Sequence, residues 1–144
     1  MSFSRIYNQA AARKGGEVEL RAILPRVAAP GELEAMADDR YLSEVTRCVF
    51  KAGFVWIGLL MWFKRHGARL GGNTAQYFLR RVGWDGFILS SDVAAGLYRE
   101  ERLDASPGSK KALMQAQQAF NDWHKETGLP YSHLSRILSY SVGD

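Results

Sequence analysis

Glycines and prolines cut this chain into short blocks, and within the blocks apolar residues recur at helical spacing, so what it can build is a packing of helices. No run shows the apolar–polar alternation of a half-buried strand. Segment 3–14 reads as a first helix stopped at Gly15-Gly16, and a second spans 17 to about 24, ahead of Pro25. Pro30-Gly31 opens another turn of helix. Asp38 or Asp39 can cap a helix carrying Tyr41, Val45, Val49 and Phe50 on its apolar face, with Gly53 just past its end. Segment 57–66 has the look of a buried helix ending at Gly67, and 73–82 forms the next, ending at Gly83. Ser90 or Ser91 caps a short helix to about Arg99, and 104–108 is a loop. Ser109 caps the longest helix, with Leu113, Ala116, Phe120 and Trp123 on one face and Gly128 as its stop. Ser132 is expected to cap a last helix that buries Leu134, Ile137 and Leu138. The expected class is all-α, in a single domain over 1–144.

Charge is segregated along this frame. Positions 45–84 contain no Asp or Glu, yet Arg47, Lys51, Lys64, Arg65, Arg69, Arg80 and Arg81 all fall there. They outnumber the net charge of +4, so the remainder of the chain is net acidic. Such separation sets up a surface field that can hold phosphates near one face, although solvated basic helix faces have the same composition. The single cysteine excludes an internal disulfide and a Cys-rich zinc site, and the three histidines show no ligand spacing. A reduced, cytoplasmic setting is expected, with no cofactor and no metal. The apolar stretch 52–63, bounded by Lys51 and Lys64, falls well short of the ~20 residues a bilayer span needs, so no membrane partner is expected.

The segment 57–82 reads as helix, glycine turn, helix, with Gly67-Ala68-Arg69-Leu70-Gly71-Gly72-Asn73-Thr74-Ala75 at the turn. Backbone N–H groups of Gly71, Gly72 and Asn73 would open the second helix as unpaired donors, with the helix dipole behind them. A DNA phosphate suits that position, with Lys64, Arg65 and Arg69 nearby as point charges and Thr74 completing the turn. Such contacts fix register on a duplex without reading sequence. An ordinary helical hairpin with a flexible turn is the plainer alternative.

This turn resembles the helix-hairpin-helix of DNA-repair proteins, with Leu70, Gly71 and Thr74-Ala75 in register, and Gly67, Ala68 and Arg69 departing from the pattern. Further segments extend the resemblance to the proteobacterial branch of the type I 3-methyladenine DNA glycosylase family. They are Phe3-Ser4-Arg5-Ile6-Tyr7 with Ala12-Arg13-Lys14-Gly15-Gly16, then Phe50-Lys51-Ala52-Gly53-Phe54-Val55-Trp56. Gln76-Tyr77-Phe78-Leu79, Phe87-Ile88-Leu89-Ser90-Ser91-Asp92-Val93 and Gln117-Gln118-Ala119-Phe120-Asn121-Asp122-Trp123 follow in order. The family carries a long helical stretch between the tryptophan helix and the hairpin, whereas here Trp56 runs directly into Ile57-Gly58-Leu59-Leu60. The resemblance therefore implies an abridged glycosylase fold, joined at 56/57.

What it implies about function is excision of an alkylated purine from double-stranded DNA by hydrolysis of its N-glycosidic bond, in base excision repair. The flipped base would rest against an aromatic wall, which also attracts a cationic 3-methyladenine. Trp56 matches the family tryptophan, and Phe54 and Tyr41 are further pocket candidates. The family's base-reading glutamate corresponds to Cys48, which cannot accept hydrogen bonds in the same way. Family members hold a structural zinc through Cys and His, but Val93 stands where a His ligand would, and no zinc is expected here. Asp92 aligns with a catalytic aspartate of the wider superfamily. It also follows Ser90-Ser91 in a first helical turn, where a carboxylate stabilises the helix dipole in any case. Two alternatives stay open. One is a non-catalytic DNA-binding remnant. The other is a helical fragment that associates with itself through Phe54, Trp56, Leu59, Leu60, Trp62 and Phe63. The family's setting is the bacterial cytoplasm, in association with the nucleoid.

Overall fold

A computed structural model describes residues 2–27, 76–77, 80 and 85–143. The chain divides into two compact units, Met1–Pro25 with Gly86–Asp144, and Arg26–Asp85. In the second unit, Gln76, Tyr77 and Arg80 are helical, with Gln76 buried and Tyr77 exposed. The first unit holds five helices, and the described residues contain no strand: α1 (Ser4–Lys14), α2 (Glu17–Ala22), α3 (Ser91–Arg99), α4 (Lys110–Thr127) and α5 (Tyr131–Val142). The fold is all-α. No helix among the described residues is long and apolar enough to cross a membrane.

The helix ends follow from local chemistry. Ser90 is the N-cap of α3, its side chain accepting from the Val93 N–H at 3.3 Å. Ser109 does the same for α4, accepting from Ala112 N–H at 3.1 Å while its hydroxyl donates to the Ser106 carbonyl at 2.7 Å. Gly128 ends α4 at φ +73, a left-handed conformation that costs a residue with a Cβ and suits glycine. The last helix departs from expectation. It starts at Tyr131 behind Pro130, and Ser132 is buried in its first turn rather than capping it. Proline's fixed φ, here −58, leads directly into the helix and sets the boundary. Helix α2 stops at Ala22, two residues short of expectation, where the Leu24 N–H closes a turn onto the Arg21 carbonyl.

At α1 the N-cap position is Phe3, which has no side-chain acceptor to offer. The acceptor comes from another helix: the Phe3 N–H donates to Glu126 Oε2 of α4 at 2.6 Å. A carboxylate at that end also meets the positive pole of the α1 dipole.

Helix α5 is the hub. It packs against α1, α3 and α4, while α2 packs on α1. Leu134, Ile137 and Leu138 are fully buried on it, and Ser132, Ser135 and Ser141 are buried too. Small serines on its sides let neighbouring backbones approach. The Ile88 N–H donates to Ser135 Oγ at 3.1 Å and thereby pins the segment 86–90, whose Phe87, Ile88 and Leu89 fill the core. At Gly96 the approach is closest: a Cβ there would lie 2.7 Å from two carbons of Leu138. An aromatic chain completes the interior. Phe87 stacks on Phe120 with centroids 5.0 Å apart, Phe120 meets Trp123 edge-on at 5.6 Å, and Trp123 meets Phe3 at 5.3 Å. Such pairs contribute about 0.5–1.5 kcal/mol each beyond the area they bury.

Candidate functional site

Of the residues singled out from the sequence, Asp92 lies among the described residues. Tyr41, Cys48, Phe54, Trp56, Lys64, Arg65, Arg69, Gly71, Gly72, Asn73 and Thr74 lie outside them, as does the 56/57 join.

The segment that brings Asp92 into place is the one held by Ser135. It delivers Ser90 to the N-cap position, so Asp92 stands in the first turn of α3 with its residue exposed. Its carboxylate carbon and both oxygens lie 2.9 Å from where a Cβ on Gly143 would sit. The carboxylate is thus seated against the residue that closes α5, and any side chain at 143 would displace it. A negative group in this position stabilises the α3 dipole. Being exposed, it is also open to solvent. Among the described residues, no group of three His, Cys, Asp or Glu side chains is arranged to hold a metal ion.

Both described histidines are engaged with backbone. His124 Nδ1 lies 2.7 Å from the Leu129 carbonyl, and its ring stacks on Tyr131 at 4.6 Å. His133 Nε2 lies 2.8 Å from the Pro25 carbonyl and fastens the end of the N-terminal helices to α5. Hydrogen bonding to a carbonyl fixes the proton on that nitrogen.

The opposite end of α3 carries a charge network that sequence reading missed. Glu100, its C-cap residue, is buried, although a carboxylate opposes the negative pole of the helix there. Two guanidinium groups offset this: Arg5 of α1 pairs with Oε1, and Arg99 Nε donates to Oε2 at 2.8 Å. Arg99 then donates to the Ser141 carbonyl at 3.2 Å and to Ser141 Oγ at 2.9 Å. One buried carboxylate therefore ties α1, α3 and α5 together. Immediately after it, Glu101 occupies the left-handed region at φ 59. The Arg102 N–H donates to Leu97 O at 2.8 Å and the Glu101 N–H to Tyr98 O at 3.0 Å, the Schellman pair, with glutamate where glycine is usual.

Two surface carboxylates are held below their ordinary range. Asp122 is lowered chiefly by the hydrogen bond from Arg102, and Asp104 chiefly by that from Gln115 and then by Lys111. Arg102 also lies over the Trp123 ring, 5.7 Å from its centroid. These contacts brace the loop between α3 and α4 against α4.

Comparison with protein-family models, with curated proteins and with solved structures finds no match for this chain.

Proposed function

We propose that the chain is a DNA-binding protein of the base-excision type, with the chemistry of a 3-methyladenine DNA glycosylase. The observation that carries this reading is the acid-free, arginine- and lysine-rich stretch 45–84 with a glycine turn inside it. Ordered sequence segments on both sides, resembling one glycosylase family, give the reading its direction. The all-helical fold agrees with that family's class.

In the proposed reaction the C1′–N bond to the alkylated base breaks and its electron pair leaves with the base. Water adds to C1′ and gives up a proton, so an abasic site remains. A cationic base is already a good leaving group, so an exposed carboxylate need only stabilise positive charge on the sugar and orient the water. Asp92 is the candidate for that role. The bacterial cytoplasm and nucleoid are the proposed setting.

The test is incubation of the whole chain with methylated duplex DNA, with free 3-methyladenine measured by chromatography. Release is expected, and Asp92→Asn should slow it by ~100-fold or more if the carboxylate meets the reacting centre. DNA binding without release would reject the enzyme and leave the second reading, a non-catalytic DNA-binding module. The seat of Asp92 against Gly143, where a dipole-stabilising role suffices, favours that second reading.

A further inference from the structure

Outside the features above, one side-chain cluster has the chemistry of an anion receptor. Tyr140 of α5 is buried to its rim, and two cations lie on its ring. Lys14 Nζ, from the last turn of α1, is 4.6 Å from the ring centroid, and the Arg136 guanidinium carbon is 4.7 Å from it. Arg136 also donates to the Tyr140 hydroxyl at 2.6 Å. Among the described residues, neither cation pairs with a carboxylate. This contrasts with Arg5, Arg21, Arg99, Arg102 and Lys111 of the same unit, all of which do.

The ring quadrupole holds both cations in place, and the guanidinium is further fixed by its bond to the hydroxyl, so little side-chain freedom is left to lose on binding. The cluster is rich in donors and poor in acceptors. The hydroxyl accepts from Arg136 and keeps its own hydrogen to donate, and the remaining Arg136 N–H groups and the Lys14 ammonium only donate. The cluster also lies close to Asp92 along the chain of contacts. Gly143, against which the Asp92 carboxylate of α3 is seated, follows Tyr140 by less than one helical turn, so α5 carries Tyr140 and the seat of that carboxylate near its C-terminal end.

We propose that Lys14, Arg136 and Tyr140 form a receptor for a backbone phosphate of DNA, flanking the nucleotide presented to Asp92. The partner is that of the proposed function, so the inference rests on that reading, while the site is a separate one. Such a site contributes affinity and register without sequence preference.

The test is the binding of a fluorescein-labelled, unmodified 20-base-pair duplex to the whole chain, followed by anisotropy between about 50 and 200 mM NaCl. Each phosphate contact steepens the dependence of log affinity on log salt by ~0.9, so over that range it accounts for a ~3.5-fold loss. Lys14→Met and Arg136→Met should each flatten the dependence, for every duplex sequence tried, and the double variant should lose the ~0.9 of the one phosphate they share. Lys14→Met keeps the apolar stem and helix propensity, so its fold should be retained, with circular dichroism melting as the check. Lys14→Arg should keep the wild-type dependence. Variants as steep as the wild type would overturn the proposal, as would a wild-type chain that does not bind duplex DNA. Inorganic phosphate provides a second probe, read from the Arg136 Nε–H resonance. A response to phosphate alone, with DNA affinity independent of both cations, would refute the DNA assignment. Failure of base release with the salt response intact would reject the glycosylase reading and leave this site standing.

Discussion

Substituting Gly96 by alanine tests the closest helix approach in the first unit. In isolation, the exchange within a helix should be favourable by about 0.8–1 kcal/mol. Here the new methyl would lie 2.7 Å from both Cγ and Cδ1 of Leu138 and 3.3 Å from Cδ2. Leu138 is fully buried, so it has no solvent-facing rotamer to retreat to. Inserting a methyl group into packed surroundings costs ~1–3 kcal/mol, and the propensity gain offsets only part of it. Gly96→Ala should therefore destabilise by about 0–2 kcal/mol, read as a lower urea midpoint at unchanged slope. The decisive comparison is the double-mutant cycle with Leu138→Ala, which alone should cost ~2–5 kcal/mol through the cavity it opens. In that background the extra methyl meets no obstruction, so Gly96→Ala should become neutral or stabilising. The coupling should be ~1–3 kcal/mol. A stabilised single variant, or a cycle that closes to zero, would refute the close α3–α5 approach.

Glu101→Gly should raise stability by about 1 kcal/mol in urea denaturation, because glycine occupies the left-handed Schellman position without the steric cost that the glutamate Cβ carries. The unit should also lose stability in acid. Asp122 and Asp104 titrate below the 3.8 of a free aspartate, so their contribution is complete above that value and disappears as pH falls through their lower folded values. Asp122→Asn should lower neutral-pH stability only slightly, since the pair with Arg102 is exposed, and flatten the stability profile below about pH 4 by the same small amount. Removing both guanidinium partners of Glu100, as Arg5→Met with Arg99→Met, should destabilise far more than Glu100→Gln does. The first leaves a buried carboxylate unpaired, whereas the second leaves arginines that water can reach, and chemical denaturation of the three proteins separates the cases.

Those features that depend on a few neighbouring residues are legible in the sequence. Ser90 and Ser109 as caps and Gly128 as a stop follow from side-chain and backbone chemistry within one turn. The burial of Leu134, Ile137 and Leu138 follows from their spacing. Features that depend on a distant partner are not legible. Spacing puts Leu113 on the buried face of α4, but it is only half-buried, and Ala112 and Ala119 are fully enclosed instead. Alanine is small enough to pack inside or stand in water, so periodicity alone does not orient such a helix. Glu100 reads as a surface residue beside Glu101, and its burial depends on Arg5, which lies 95 positions earlier. The cap on α1 is supplied by Glu126 from 123 positions away. At the candidate site, Asp92 is legible as a first-turn carboxylate, but its seat against Gly143 is a matter of tertiary packing. The hairpin turn and the aromatic pocket residues fall outside the described residues.

The first unit is assembled from two separated pieces of chain, with residues 26–85 as an excursion that leaves after Pro25 and returns at Gly86. Loop-closure entropy grows only logarithmically, so halving or doubling such an excursion shifts the balance by ~0.6 kcal/mol. The polypeptide can therefore lose or gain a long stretch between those two points while its terminal helices still find one another. The corollary concerns synthesis: α1 and α2 emerge early but have no hub to dock on until α5 has been made. For most of translation, their apolar faces depend on something other than their final partners to stay out of trouble.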